Sequence, residues 1–404
     1  MDLIEKMYDL VLCEMDMEHE MEDMDLIKLI HKVLNETCNK EYMPLCLKIK
    51  TGRELFNAFR KLDILQELIE DDEITEIMIN GTSNIFLEKN GVIYESDKRF
   101  VSASRLEDVI QQIVSKINRY VNEASPIVDA RLEDGSRVNV VLKPVAINGP
   151  ILTIRKFPKE KLTMDRLIEG GSITKEAAEF LQKAVISKMN IFICGGTGSG
   201  KTTFLNALSD YIPSDERIIT IEDNAELQVK IDNLVSLEAR NSNIEGKGAI
   251  TIGNLVKNAL RMRPDRVILG EIRQGEETLE LMNVMLNGHS GSMSTGHGNN
   301  VSDMLKRLEV LMSSAETNVP LDAVRGQISA AIDVIIHLGR LRDKSRKVLQ
   351  ISEILDAKDG GIETNILYEF QEEGVENEKI IGRLVKKNQL LRQDKFVAAG
   401  YTKV

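Results

Sequence analysis

From Leu3 to about Glu70, apolar residues recur every three or four positions, as in DLIKLIHKVL and ELFNAFRKLDILQELI, with little proline or glycine. That spacing predicts an amphipathic helical arm over residues 1–70. At EITEIMINGTSNIFLEKNGVIYES the pattern changes to short β-branched runs split by Asn80-Gly81 and Asn90-Gly91, two hairpin signals. SASRLEDVIQQIVSKIN then predicts a helix that Ser102 or Ser104 can cap. IVDARLEDGSRVNVVL predicts two strands turning at Glu133-Asp134-Gly135, and GPILTIRKFP one more, stopped at Pro158. Residues 71–158 therefore read as an α+β domain. A charged linker, PKEKLTMDRLIEGGS, leads to the helix ITKEAAEFLQKAVIS and then to alternating strands and helices, the order of a parallel sheet. Linker and this α/β domain make up residues 159–404.

Composition narrows the function classes. At 404 residues the chain is too long for one ordinary core, so two or three domains are expected. The start MDLIEKMYDL lacks a basic and then apolar leader, and even AAIDVIIHLG is too short and too interrupted to span a bilayer. A cytoplasmic protein with at most peripheral membrane contact is the expectation. Cys13, Cys38, Cys46 and Cys194 form no CxxC pair, which argues against a zinc ribbon or a redox motif and for reduced thiols. The net charge is −12, and residues 1–50 hold 12 acidic against 6 basic residues. That balance argues against a nucleic-acid motor, which concentrates basic side chains.

One segment carries chemistry outright. NIFICGGTGSGKTTFLNALSDYI contains Gly195, Gly196, Thr197, Gly198, Ser199, Gly200, Lys201, Thr202 and Thr203, which satisfy GxxxxGK[ST] between an apolar strand and a helical pattern. Glycines let backbone N–H groups converge on phosphate oxygens. The helix start adds its positive end, Lys201 neutralises terminal phosphates and the Thr202 hydroxyl can hold Mg²⁺. Cys194, just before the loop, reads as a small core residue. No NKxD guanine reader follows, so ATP is the expected nucleotide.

An ATPase also needs carboxylates near the γ-phosphate. RIITIEDNAEL ends an apolar strand in Glu222 and Asp223, and DRVILGEIR ends another in Glu271. Acids at the carboxyl ends of parallel strands share the sheet edge of the phosphate loop. Glu271, after a wholly apolar run, is the best candidate for general base. The stretch GHSGSMSTGHGN holds His289 and His297 eight residues apart, a poor geometry for a metal and without the GxSxG elbow of a nucleophilic serine. SGSMST reads as the next strand, with His297 at its carboxyl end beside Glu271 and His289, in a structural role, at its beginning.

Together GGTGSGKTT, TIEDNAEL, LRMRPDRVILGEIR and GHSGSMSTGHGN resemble the Walker A, Asp box, Walker B and His box of the secretion traffic ATPases of type II and type IV secretion and pilus assembly. The resemblance covers residues 71–340 and is closest to the tight-adherence (Flp pilus) branch. It implies a RecA-like ATPase domain, a smaller N-terminal α+β domain and a homo-hexameric ring with ATP and Mg²⁺ held between the domains. Carried over, Glu222 and Asp223 are Asp-box acids near the metal, Glu271 activates the water and His297, with His289 as the weaker candidate, senses the γ-phosphate. Arg131, Arg137 and Arg155, in DARLEDGSRVN and TIRKF, would reach the nucleotide; from the residues alone, Arg131 and Arg137 around an acidic turn read as a solvated charge pattern. Arg240, Arg261 and Arg263 are weaker candidates for contact across a subunit boundary. The tetracysteine zinc insertion of the type II and type IV pilus branch is excluded by the cysteine positions.

The implied function is a motor that passes work to a polytopic membrane platform protein and moves pilins or a secreted protein, without nucleic acid. Two alternatives use the same core: a nucleic-acid translocase, and a nucleotide-gated assembly switch that does not turn over.

Overall fold

The computed structural model describes residues 3–15, 21–39, 42–89, 91–116, 120–157, 161–240, 242, 247–315, 319–358 and 360–401. Asn90 of the second hairpin signal, Pro158 at the expected strand stop and the boundary at 158/159 lie outside them. The chain separates into two compact units, residues 1–159 and 160–404.

The first unit opens with helices α1 (Leu3–Glu14), α2 (Asp23–Cys38), α3 (Leu45–Arg60) and α4 (Leu65–Glu70). Met7, Val11, Leu26, Ile30, Leu34 and Leu55 recur at helical spacing, so one stripe of each of the first three helices faces a common small core. α4 belongs elsewhere: its Leu65 and Leu68 are buried in the core of the sheet that follows. That sheet comprises β1 (Ile74–Asn80), β2 (Asn84–Lys89), β3 (Val92–Glu95), β4 (Ile127–Arg131), β5 (Arg137–Val141) and β6 (Ile151–Arg155), with α5 (Ala103–Ser115) between β3 and β4. The strand order is β3-β2-β1-β6-β5-β4, every pair antiparallel. α5 starts where Ser102 accepts a hydrogen bond from the Arg105 amide, and its apolar stripe packs on alternate strand residues such as Ile77, Val138 and Ile154.

The second unit begins within the segment expected to be a linker. Residues 164–169 form a helix instead, α6 (Met164–Glu169), because Thr163 caps it and Met164 is buried in the unit's core. Then follow α7 (Lys175–Ile186), β7 (Ile191–Gly195), α8 (Lys201–Ser209), β8 (Ile218–Glu222), β9 (Leu234–Glu238), α9 (Ile252–Ala259), β10 (Arg266–Ile272), α10 (Gly275–Leu286), β11 (Met293–His297), α11 (Val301–Ala315), α12 (Leu321–Ala331) and β12 (Val334–Arg340). The chain ends with β13 (Arg346–Lys358), β14 (Gly361–Glu376), β15 (Lys379–Lys386) and α13 (Asp394–Ala398). A nine-stranded sheet runs β15-β14-β13-β12-β7-β11-β10-β8-β9.

Strands β12 to β9 in that order are parallel, and two apolar clusters cover the two faces of their apolar runs, which are buried in all but the edge strand β9. The last three strands extend the sheet in antiparallel fashion, which the alternation of strands and helices did not lead one to expect. Their turns explain it. Asp343 accepts hydrogen bonds from the Ser345 amide and hydroxyl, closing the β12–β13 hairpin. Asn377 and Glu378 both adopt positive φ between β14 and β15, the backbone of a tight hairpin turn. Among the described residues, no helix is long and apolar enough to cross a membrane.

Candidate active site

The phosphate loop connects β7 to α8. Gly198 (φ 71°) and Gly200 (φ 93°) adopt left-handed backbone that side chains resist, which turns the loop so that the N-terminus of α8 faces its concavity. Lys201 is 8% exposed, and its Nζ donates to the Gly195 and Gly196 carbonyls at 3.2 Å each. Thr202 and Thr203 follow in the first turn of the same helix.

Sheet order then decides what stands beside the loop. β11 lies next to β7 with His297 opposite Gly195 in register, and β10 lies next to β11. Glu271 and His297 therefore emerge from the carboxyl ends of adjacent strands on the loop's edge, as the sequence implied. The Thr295 hydroxyl donates to the Gly270 carbonyl at 2.7 Å and locks the two strands together there. Glu271 Oε1 sits 2.8 Å from His297 Nε2 and 3.9 Å from Lys201 Nζ, while Lys201 Nζ is 3.4 Å from His297 Nδ1. The 2.8 Å approach does not have hydrogen-bond geometry, and Oε1 is buried with no hydrogen-bond partner among the described residues. Such an oxygen is suited to accept a proton from a ligand.

Two residues that the sequence did not single out complete the site. Arg273, two positions after Glu271, holds Glu271 Oε2 through Nε at 3.1 Å and Nη2 at 2.8 Å, and its Nη1 lies 3.2 Å from Asp223 Oδ2. It thus joins the Asp box to the general-base candidate. Arg346 of β13 donates from Nε to the Gly198 carbonyl at 2.9 Å, bracing the phosphate loop from a strand 148 residues away in sequence. Arg273 had a local signal, a cation beside a strand-end acid. Arg346 had none.

Glu222 closes β8 and stands in the Asp box. Its carboxylate is 3% exposed and accepts hydrogen bonds from the amides of Glu226 (2.9 Å) and Leu227 (3.0 and 3.2 Å). Those hydrogen bonds hold the loop after β8 to the strand end. A Cβ on Gly270 would come within 2.9 Å of Glu222 Cγ, so the glycine in ILGE makes room for it.

The other candidates lie as follows. His289 is in the turn before β11, at the opposite end of that strand from His297, with Nδ1 2.9 Å from the Pro264 carbonyl oxygen. Arg261 and Arg263 precede β10 at its amino end, and Arg240 donates to the Gly248 carbonyl at 2.8 Å. Cys194 is buried, and burial pushes its thiol up to about 12, so it is an inert core residue. In the first unit, Arg131, Arg137 and Arg155 come together: Arg131 pairs with Arg137 across β4–β5, and Arg137 with Arg155 across β5–β6.

Burial holds the His297 imidazole below its usual range, with Glu271 opposing the shift and Lys201 adding to it. Burial does the same to His337 of β12, with a hydrogen bond from its ring to the Asn299 backbone carbonyl opposing. Both rings are neutral at neutral pH. Unfolded histidines gain protons near about pH 6.5, so this contribution to stability is complete above that pH and is lost as pH falls through it toward the depressed folded values. We expect the urea midpoint of the wild type to fall more steeply over that window than that of a His297→Gln/His337→Gln variant; equal slopes would remove both rings from the account.

The family model of the type II/IV secretion system proteins matches residues 59–387. Conjugal transfer protein TrbB of Rhizobium radiobacter is 30% identical over 316 residues, 77% of this chain and 93% of TrbB. Type IV secretion system protein VirB11 of Bartonella henselae is 30% identical over 322 residues, 70% of this chain and 89% of VirB11. The solved Legionella pneumophila ATPase DotB aligns with a TM-score of 0.50 at 23% identity, covering 70% of this chain and 78% of DotB, a likeness of fold. With a complete phosphate loop and a strand-end glutamate beside it, the chain belongs to the type II/IV secretion system protein family and is an ATPase of that superfamily.

Proposed function

We propose that the chain is one subunit of a cytoplasmic homo-hexameric ATP-hydrolysing motor of the tight-adherence type, which drives pilus assembly or protein secretion through a polytopic membrane platform protein. The observation that carries this reading is the convergence of Lys201, Glu271 and His297 on one sheet edge, with the Glu271 Oε1 oxygen lacking a hydrogen-bond partner among the described residues. Lys201 leaves the loop carbonyls for the terminal phosphates of ATP. Glu271, held by Arg273, orients the attacking water and takes its proton. His297, neutral and next to both, meets the γ-phosphate and reports its loss.

Thr202 and Asp223 supply hard oxygen donors that fit Mg²⁺, which prefers hydroxyl and carboxylate ligands. Bound there, Mg²⁺ would neutralise phosphate charge. Groups that contact the γ-phosphate give the ATP state its differential affinity, and that difference drives the conformational change as phosphate is bound and lost. The motor attaches to the membrane through its platform partner.

Replacing His297 by Ala tests the sensor role. Turnover should fall by about a hundredfold while ADP affinity stays within about twofold, the signature of an interaction made only with the γ-phosphate. An equal loss of ADP binding would make His297 a scaffold residue.

A further inference from the structure

Strand β13 starts at the phosphate loop, and its first residue is Arg346. Three contacts fix that start. The Asp343 turn closes the hairpin from β12, Lys347 Nζ donates to the Gly171 carbonyl at 2.6 Å, and the Val348 amide donates to the Ser172 carbonyl at 2.8 Å. Arg346 Nε donates to the Gly198 carbonyl, and its Cδ lies 3.6 Å from the place a Cβ on Gly200 would occupy. The side chain thus lies along the loop from Gly200 to Gly198. All of these residues, with Glu271 and His297, belong to the second unit.

Charge makes this an unfavourable place for a guanidinium on its own. The N-terminus of α8 and the Lys201 ammonium both make the loop electropositive. Arg346 is exposed, and among the described residues it forms no ion pair and has the Gly198 carbonyl as its one hydrogen-bond partner. Its Nη1 and Nη2 donors are left for another acceptor, and two donors on a planar cation match two oxygens of a phosphate. An anion on the loop turns the repulsion into attraction.

Sheet order selects the phosphate. The loop follows β7; Glu271 and His297 rise from β10 and β11 on one side of it, and Arg346 stands on β13, beyond β12, on the other. With the γ-phosphate beside Glu271 and His297, the row of phosphates extends away from them, and its nucleoside end faces the β12–β13 side. We infer that Arg346 is a further nucleotide-binding residue, one that grips the α-phosphate of ATP and ADP alike. This rests on the reading that places the γ-phosphate beside Glu271.

The test measures Kd for ADP, and KM and kcat for ATP, in full-length wild type, R346Q and R346K at low and high KCl. We expect R346Q to raise the ADP Kd and the ATP KM by a common factor of about tenfold, with kcat within about twofold, because substrate and product carry the same α-phosphate. The ADP Kd of the wild type should rise more steeply with salt than that of R346Q, and R346K should restore the slope. Replacing an α-phosphate oxygen by sulfur, as in ADPαS, should weaken binding to the wild type by about threefold and leave binding to R346Q unaltered. Equal salt slopes, or a sulfur effect that persists in R346Q, would refute the inference and reduce Arg346 to a brace on Gly198. A fall in kcat with ADP affinity intact would move Arg346 to the γ-phosphate and overturn the Glu271 reading with the inference. Unchanged affinities for both nucleotides would refute the inference alone and leave the Glu271 reading standing.

Discussion

Replacing Glu271 by Gln should lower steady-state phosphate release by about a hundredfold to a thousandfold, the range expected when a positioned general base loses its proton acceptor. Gln keeps the shape of the side chain and can still bond Arg273, so the fold of the edge survives. Lys201, the loop amides and Thr202 are untouched, and ATP affinity should stay within about threefold. The unpartnered Oε1 makes the expectation sharp, because that atom is the one the substitution turns into an amide oxygen or nitrogen. Phosphate release that is unchanged would assign the base elsewhere, and a parallel loss of ATP binding would make Glu271 a structural anchor for Lys201 and Arg273.

Truncating Glu216 should have the largest effect on stability. Arg266, the first residue of β10, is 0% exposed, and its guanidinium bonds both Glu216 oxygens, at 2.5 and 2.8 Å. It also donates to the Val185 carbonyl at 2.7 Å. This pair ties α7, β8 and β10 together at the amino-terminal edge of the sheet, away from the phosphate loop. In Glu216→Ala a buried guanidinium loses its counter-charge, which costs about 3–5 kcal/mol. An E216L/R266M double variant, which removes both charges, should recover most of the loss. A urea-midpoint shift worth under about 1 kcal/mol in E216A would show that Arg266 finds other compensation.

Much of the active site was legible because its signals are local. The phosphate loop is nine consecutive residues whose glycines dictate a backbone path. Glu271 closes an apolar run and His297 closes the short segment SGSMST, and the alternation of strands and helices places both at carboxyl ends. α5 was capped by Ser102 as its sequence allowed. The amide contacts of Glu222 were not legible, because an acid at a strand end looks the same in sequence whether or not it meets the amides of residues 226 and 227. The antiparallel extension went unread because its turns, Asp343-Lys344-Ser345 and Asn377-Glu378, are weaker signals than Asn-Gly.

By itself the sequence determined the nucleotide loop, the strand-end positions of Glu271 and His297 and the order of an α+β unit followed by an α/β unit, since each depends on neighbours within a dozen residues. Only the tertiary structure decided that Arg273 bridges Asp223 to Glu271 and that Arg346 reaches Gly198. Strand register and sheet order create those contacts, and both are set by packing between segments tens of residues apart, where a one-residue slip would turn every side chain to the other face.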